Sequence, residues 1–241
     1  MPPPAPAVAY GAHPEQVANL HLPAEHGGPW PTVVLVHGGF WRQRWDRTTT
    51  TPLARDLAAR GYTAWNLEYR RDGWPATLHD VVAGIDALAE QHGVDRDRVV
   101  AVGHSAGGQL ALRAAAESRV RLRAVVSLGG VVDLVAGAEA SLGDGACQAF
   151  LGGEPAEVPE RYADASPAAR LPLGVRQLLV HGPLDDIVPP SQSRDYASAA
   201  RAAGDEVELV EPPGADHFDV VEPAHPAWLA VVDRLPGLFA C

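Results

Sequence analysis

What most limits the folds open to this chain is a set of short apolar runs with almost no polar alternation. They lie at residues 32–36, 99–102, 124–126 and 177–180, with an aromatic-enriched run at 62–69. A strand with one solvated face alternates polar and apolar residues; one that is apolar throughout is covered on both faces. Helical patterns lie between the runs. Leu78, Val81, Val82, Ile85 and Leu88 form one stripe at helical spacing. Residues 52–60 read as a helix stopped by Gly61, residues 191–203 as a helix capped by Ser191 and followed by Gly204, and residues 226–235 as the last helix. Strands alternating with helices predict an α/β fold, a mostly parallel sheet with helices on both faces.

A length of 241 residues with 46% hydrophobic and 20% charged residues fits one soluble domain with a sizeable core. Residues 1–16 read as a flexible N-terminal arm. Residues 131–173, rich in Ala, Gly, Asp and Glu, are too long for an ordinary connection and read as a small lid insertion. A formal charge of −11 offers no basic face to a nucleic acid. No apolar run approaches the roughly 20 residues that span a bilayer, and no basic segment leads into an apolar one at the start. The two cysteines, Cys147 and Cys241, make a disulfide framework a poor expectation and point to a reducing, cytoplasmic setting. No clustered His/Cys spacing suggests a metal site, and no cofactor is expected. All 19 basic residues are arginine, which removes lysine Schiff-base chemistry and the lysine-bearing phosphate loop.

The chemistry-bearing motifs fall at the ends of the apolar runs. Residues 103–107 read Gly-His-Ser-Ala-Gly, a G-x-S-x-G sequence with a strand before it and a helical pattern after it, as a nucleophile elbow requires. Ser105 is then the candidate nucleophile; the plain alternative is a glycine-rich turn with an inert serine. A serine hydroxyl needs a base. His217, in Gly-Ala-Asp-His-Phe at 214–218, follows the strand pattern at 207–210 and lies at the same sheet edge as the elbow. The acid that orients such a base falls first on Asp185, after the run at 177–180, with Asp186 and then Asp133 as alternatives. After the run at 32–36 comes His-Gly-Gly-Phe-Trp, where glycines let main-chain amides approach a reacting carbonyl oxygen. The expected oxyanion donors are the amides of Gly39, Phe40 and Ala106. Trp41, Tyr69 and His104 are the expected substrate-binding residues: Trp41, like Phe40, Trp45 and Trp74, sits on a loop that should reach the pocket, Tyr69 lies at a strand's C-terminal end, and His104 belongs to the elbow; Trp45 and Trp74 divide between that role and ordinary packing.

Together these motifs resemble the α/β-hydrolase superfamily, from about residue 30 to 235. HGGFW, GHSAGG, HGPLDDIVP and GADHF are similar to the small carboxylesterase branch that includes kynurenine formamidases. Glu68-Tyr69-Arg70, Trp74-Pro75-Ala76 and Asp80 are similar to a stretch of hormone-sensitive-lipase-like esterases, although Phe40 replaces their fourth glycine and His104 the Asp common before their serine. The GHSAGG elbow also resembles that of prolyl-oligopeptidase-like peptidases. No segment here matches their propeller, and peptidase activity ranks low. The resemblance implies an α/β-hydrolase fold and a small-molecule ester or amide substrate. Three functions follow in order: a carboxylic ester hydrolase working through an acyl-enzyme, an aryl-amide or formamide hydrolase, and a non-catalytic binding protein on a hydrolase scaffold.

Overall fold

The computed structural model describes residues 5–24 and 27–240. Eight strands form one sheet: β1 (Ala7–Ala9), β2 (Val17–His21), β3 (Trp30–Val36), β4 (Thr63–Leu67), β5 (Val94–His104), β6 (Ala124–Leu128), β7 (Arg176–Val180) and β8 (Val207–Val210). Their spatial order is β1-β2-β4-β3-β5-β6-β7-β8. β2 runs antiparallel to both β1 and β4, and every pairing from β4 to β8 is parallel. This is an α/β-hydrolase fold.

The apolar runs are explained by what each face meets. Side chains alternate between faces along a strand. Val34, Val36, Ala101 and Val125 enter one core, and Val33, Leu35, Val100 and Val126 enter the other. The helices are α1 (Thr51–Ala59), α2 (Ala76–Asp86), α3 (Ala106–Ala114), α4 (Leu134–Glu139), α5 (Leu142–Leu151), α6 (Pro159–Ala165), α7 (Ser191–Ala202), α8 (Pro226–Val232) and α9 (Leu235–Leu238). Helices α1, α8 and α9 cover the second core through Leu53, Leu57, Trp228 and Leu235. Helices α2, α3 and α7 cover the first through Leu78, Val81, Leu110 and Tyr196, joined by α4–α6.

The strand order places the site. The chain lays down β3, moves outward to β4, then crosses back to put β5 on the other side of β3. Loops leaving β3 and β5 therefore diverge and open a crevice at the carboxyl ends of the strands, where open α/β sheets bind ligands. Val36 at the end of β3 pairs with Gly103, two residues before Ser105.

Some boundaries differ from expectation. Residues 7–9, read as part of an arm, form β1. Tyr10 then donates a 2.7 Å hydrogen bond to the Glu68 carbonyl, and Gln16 donates to Asp80 Oδ1 at 2.7 Å. Three residues are too few to show alternation, and the prolines before them read as linker; residues 1–4 lie outside the described residues, as does Cys241. Ser191 is the first residue of α7 and makes no side-chain cap. The last predicted helix divides into α8 and α9, because Pro236 has no N–H to bond the preceding turn. Residues 131–173 hold α4–α6, between β6 and β7. Among the described residues no helix is long and apolar enough to cross a membrane.

Candidate active site

β5 ends at His104 and α3 begins at Ala106, so Ser105 alone makes the turn between them, at φ 54°, ψ −121°. A non-glycine residue in such a region costs on the order of 1–3 kcal/mol, and the surroundings must hold it there. Two glycines permit this. A Cβ at Gly103 would lie 2.1 Å from the Gly107 carbonyl oxygen, and one at Gly107 would lie 2.1 Å from that of Val36. The Ser105 amide donates to the Leu128 carbonyl at 2.8 Å, fixing the turn to β6. The Ser105 side chain is buried, and among the described residues its Oγ has no hydrogen-bond partner.

The loops after β7 and β8 bring Asp185 and His217 together. His217 Nδ1 donates to Asp185 Oδ2 at 2.7 Å, with both side chains buried. A carboxylate accepts, so the ring proton sits on Nδ1 and the lone pair on Nε2. Asp185 is held from three further directions. Its Oδ1 accepts from the amides of Ile187 at 3.0 Å and Val188 at 2.8 Å, while His181 Nε2 lies 3.1 Å from Oδ2. Burial alone raises the pKa of this carboxyl. The hydrogen bonds from His181 and His217, the adjacent imidazole charge and the backbone amide of Val188 outweigh burial and hold it well below the usual carboxylate range. The alternatives are placed elsewhere. Asp186 is exposed, and Asp133 caps α4 by accepting from the amides of Val135 and Ala136.

The loop after β3 takes three consecutive positive φ values, 115° at Gly39, 53° at Phe40 and 54° at Trp41. Only the first is at a glycine, so tertiary contacts must hold the other two. His37 Nε2 donates to the buried Glu68 carboxylate at 3.0 Å, and the Tyr69 hydroxyl donates to the His37 carbonyl at 2.6 Å. The His37 and Tyr69 rings stack at 4.3 Å. Trp41 Nε1 donates to Gln109 Oε1 at 3.1 Å, and its ring stacks on Phe150 at 4.3 Å. Burial would raise the Glu68 pKa. The hydrogen bond and charge of His37, the Arg47 amide and the Arg71 guanidinium overcome that and bring it down to about 2. A Cβ at Gly38 would lie 2.9 Å from Ser105 Cβ, so this loop presses directly on the elbow.

A cavity of about 280 Å³ opens over these groups. Ser105, His217 and His104 form its floor, and Gly39, Phe40, Trp45, Ile187 and Phe218 supply much of its wall. Of the three residues expected to bind substrate, His104 lines the cavity and two do not. Trp41 and Tyr69 are buried and do not line the cavity. The left-handed turn at Phe40 and Trp41 carries the indole inward against α3, and Tyr69 packs beneath His37. His104 is neutral near pH 7. Burial and the neighbouring His217 lower its pKa to about 3, and its Nε2 donates to the His217 carbonyl at 3.0 Å. Sequence reasoning missed His181 as a partner of Asp185, and Ile187 and Phe218 as wall residues. Each lies within four residues of a triad candidate, which was the available signal.

A family model described as the prolyl oligopeptidase family matches residues 59–231. Esterase LipC of Mycobacterium tuberculosis is 28% identical over 246 residues, spanning 90% of this chain and 60% of its own length. The probable isoprenylcysteine alpha-carbonyl methylesterase ICMEL2 of Arabidopsis thaliana is 28% identical over 245 residues, 89% of this chain and 57% of its own. The chain thus spans less than two thirds of these curated relatives. Among solved structures, a truncated carbohydrate esterase from gut microbiota superimposes with a TM-score of 0.84 at 18% identity, over 96% of this chain and 94% of that one. The family match runs from the end of α1 through the elbow, the Asp185 loop and the His217 loop. By that match, the chain belongs to the prolyl oligopeptidase family.

Proposed function

We propose that the chain is a serine esterase that cleaves small to medium carboxylic esters through an acyl-enzyme. The observation that carries this reading is the buried 2.7 Å contact between His217 Nδ1 and Asp185 Oδ2, with His217 lining the same cavity as a serine on a strained elbow. Rotation of the Ser105 side chain brings its hydroxyl toward His217 Nε2, and such contacts commonly tighten only once substrate is bound. His217 then takes the Ser105 proton as Oγ bonds to the ester carbon. The carbonyl oxygen becomes an oxyanion, facing the amides of Gly39, Phe40 and Ala106. Ala106 is the first residue of α3, whose amide has no partner within the helix. The tetrahedral species collapses, the C–O bond to the alcohol breaks, and His217 returns the proton to the leaving alcohol. Water repeats the sequence against the acyl-enzyme, regenerating Ser105 and releasing the acid.

The esterase names of the curated relatives support an ester substrate over an amide. A fluorophosphonate probe tests the reading: it should label Ser105 in folded protein, and the label should disappear in Ser105→Ala. p-Nitrophenyl acetate should be cleaved with a higher kcat/KM than N-formylkynurenine. The reverse order would move the assignment to a formamide hydrolase. Folded protein inert to the probe and to both substrates would instead favour a binding role.

A further inference from the structure

The charge of the cavity wall carries an inference beyond ester cleavage, one that rests on the esterase reading. The chain has a formal charge of −11, yet no carboxylate is among the described residues lining the cavity. Its one permanently charged wall residue is Arg44. The other arginines of this loop are engaged. Arg42 donates to the Gly143 carbonyl, and Arg47 pairs with Glu68 at 3.4 Å. Arg44 is exposed and forms no ion pair among the described residues; its guanidinium sits 5.4 Å from the centroid of the Trp45 ring. Trp45, although exposed, packs against Gly39: a Cβ built there would lie 2.4 Å from Trp45 Cβ and 2.5 Å from its Cγ. An aromatic platform seated on the expected oxyanion loop thus carries a guanidinium at the mouth of the cavity. A stacked guanidinium keeps its edge free for the two parallel hydrogen bonds that a carboxylate accepts. The net charge of the chain repels anions at long range, so selection of an anion has to come from a local cation of this kind.

We infer that Arg44 is an anion subsite, and that the site prefers esters bearing a carboxylate on the part of the substrate lying along Phe40 and Trp45. Two matched pairs test this: p-nitrophenyl hemiglutarate against p-nitrophenyl methyl glutarate, and 4-acetoxybenzoate against 4-acetoxybenzamide. They place the charge on the acyl and the leaving-group side respectively. In the wild type the anionic member of at least one pair should have a kcat/KM about five-fold higher, as for a partly exposed ion pair. Arg44→Gln should bring that ratio to one or below, Arg44→Glu should invert it, and Arg44→Lys should keep part of it. Because the readout is a ratio, a fraction of inactive protein cancels. A wild type that cleaves the neutral esters without preferring either anion overturns the subsite alone, as does a preference that survives Arg44→Gln. A wild type that cleaves none of the four overturns the esterase reading and the subsite with it.

Discussion

Asp185 Oδ2 is shared by two histidines: His217 Nδ1 lies 2.7 Å away and His181 Nε2 lies 3.1 Å away. The second ring is fully buried, and its Nε2 also faces the Val188 carbonyl at 2.9 Å while Nδ1 meets Ser193 Oγ at 2.7 Å. A carbonyl only accepts, so the His181 proton is on Nε2, shared between the Val188 carbonyl and the carboxylate oxygen 3.1 Å away.

His181→Phe keeps a planar ring and removes that donor. We expect kcat to fall about ten-fold with KM little changed, because the loss bears on how Asp185 holds His217. Stability at neutral pH should fall by about 1–3 kcal/mol. The sign with pH follows from Asp185. Its folded pKa lies below the ordinary value of 3.8, so its contribution is present above that value and is lost as pH falls through the folded pKa. The deficit of the variant should narrow in acid. Thermal melts between pH 7 and pH 3 check this, and a constant deficit would contradict it.

Glu68 lies under the loop expected to form the oxyanion hole. Its pKa of about 2, against an ordinary 4.5, makes its contribution complete above pH 4.5 and progressively lost as pH falls toward 2. Glu68→Gln should therefore cost about 3 kcal/mol at pH 7 and much less near pH 3, measured by urea unfolding. If the loop shifts, kcat should drop by about 10²-fold while KM moves little.

Ser105 is strained by its position, whatever its chemistry. Ser105→Gly and Ser105→Ala both remove the hydroxyl and should both lower kcat by several orders of magnitude. They should differ in stability. Glycine accepts φ 54°, ψ −121° without a Cβ penalty, so Ser105→Gly should be about 1–2 kcal/mol more stable than Ser105→Ala, read as a higher Tm. Equal melting points would mean that the turn is not strained.

Asp185→Asn should lower kcat by about 10⁴-fold, since an amide cannot accept from every donor now facing the carboxylate and disturbs the His217 tautomer. Asp186→Asn, on an exposed side chain, should stay within a few-fold. Steady-state kinetics of the pair decide which carboxylate serves as acid.

What was legible in the sequence, and what was not, divides along physical lines. Runs such as 32–36 and 99–102 show their double coverage directly, because a buried parallel strand leaves no polar positions. Ser105 and Asp185 stood out as candidates because each follows such a run, and His217 because it follows the shorter strand pattern at 207–210. Trp41 and Tyr69 were misplaced for one reason: side-chain direction after β3 depends on positive φ at Phe40 and Trp41. Nothing in those residue types announces a left-handed backbone. β1 was hidden by its brevity, and Arg44 and His181 were overlooked because their surroundings depend on how the loops fold back on themselves and on which of several arginines is left unpaired.

None of the described wall of the cavity comes from residues 131–173, although Gly143 backs onto the Phe40 ring from behind. The hinterland of the pocket around Gly143 is thus set apart from its reacting edge, whereas the first residues after β6 are not: a Cβ at Gly129 would lie 3.2 Å from Asp185 Oδ2, and the Val131 amide donates to the Ser105 carbonyl at 3.4 Å. A lineage built on this scaffold can vary the stretch around Gly143 and change how Phe40 is buttressed, hence the breadth of ligand admitted, while those first residues stay fixed.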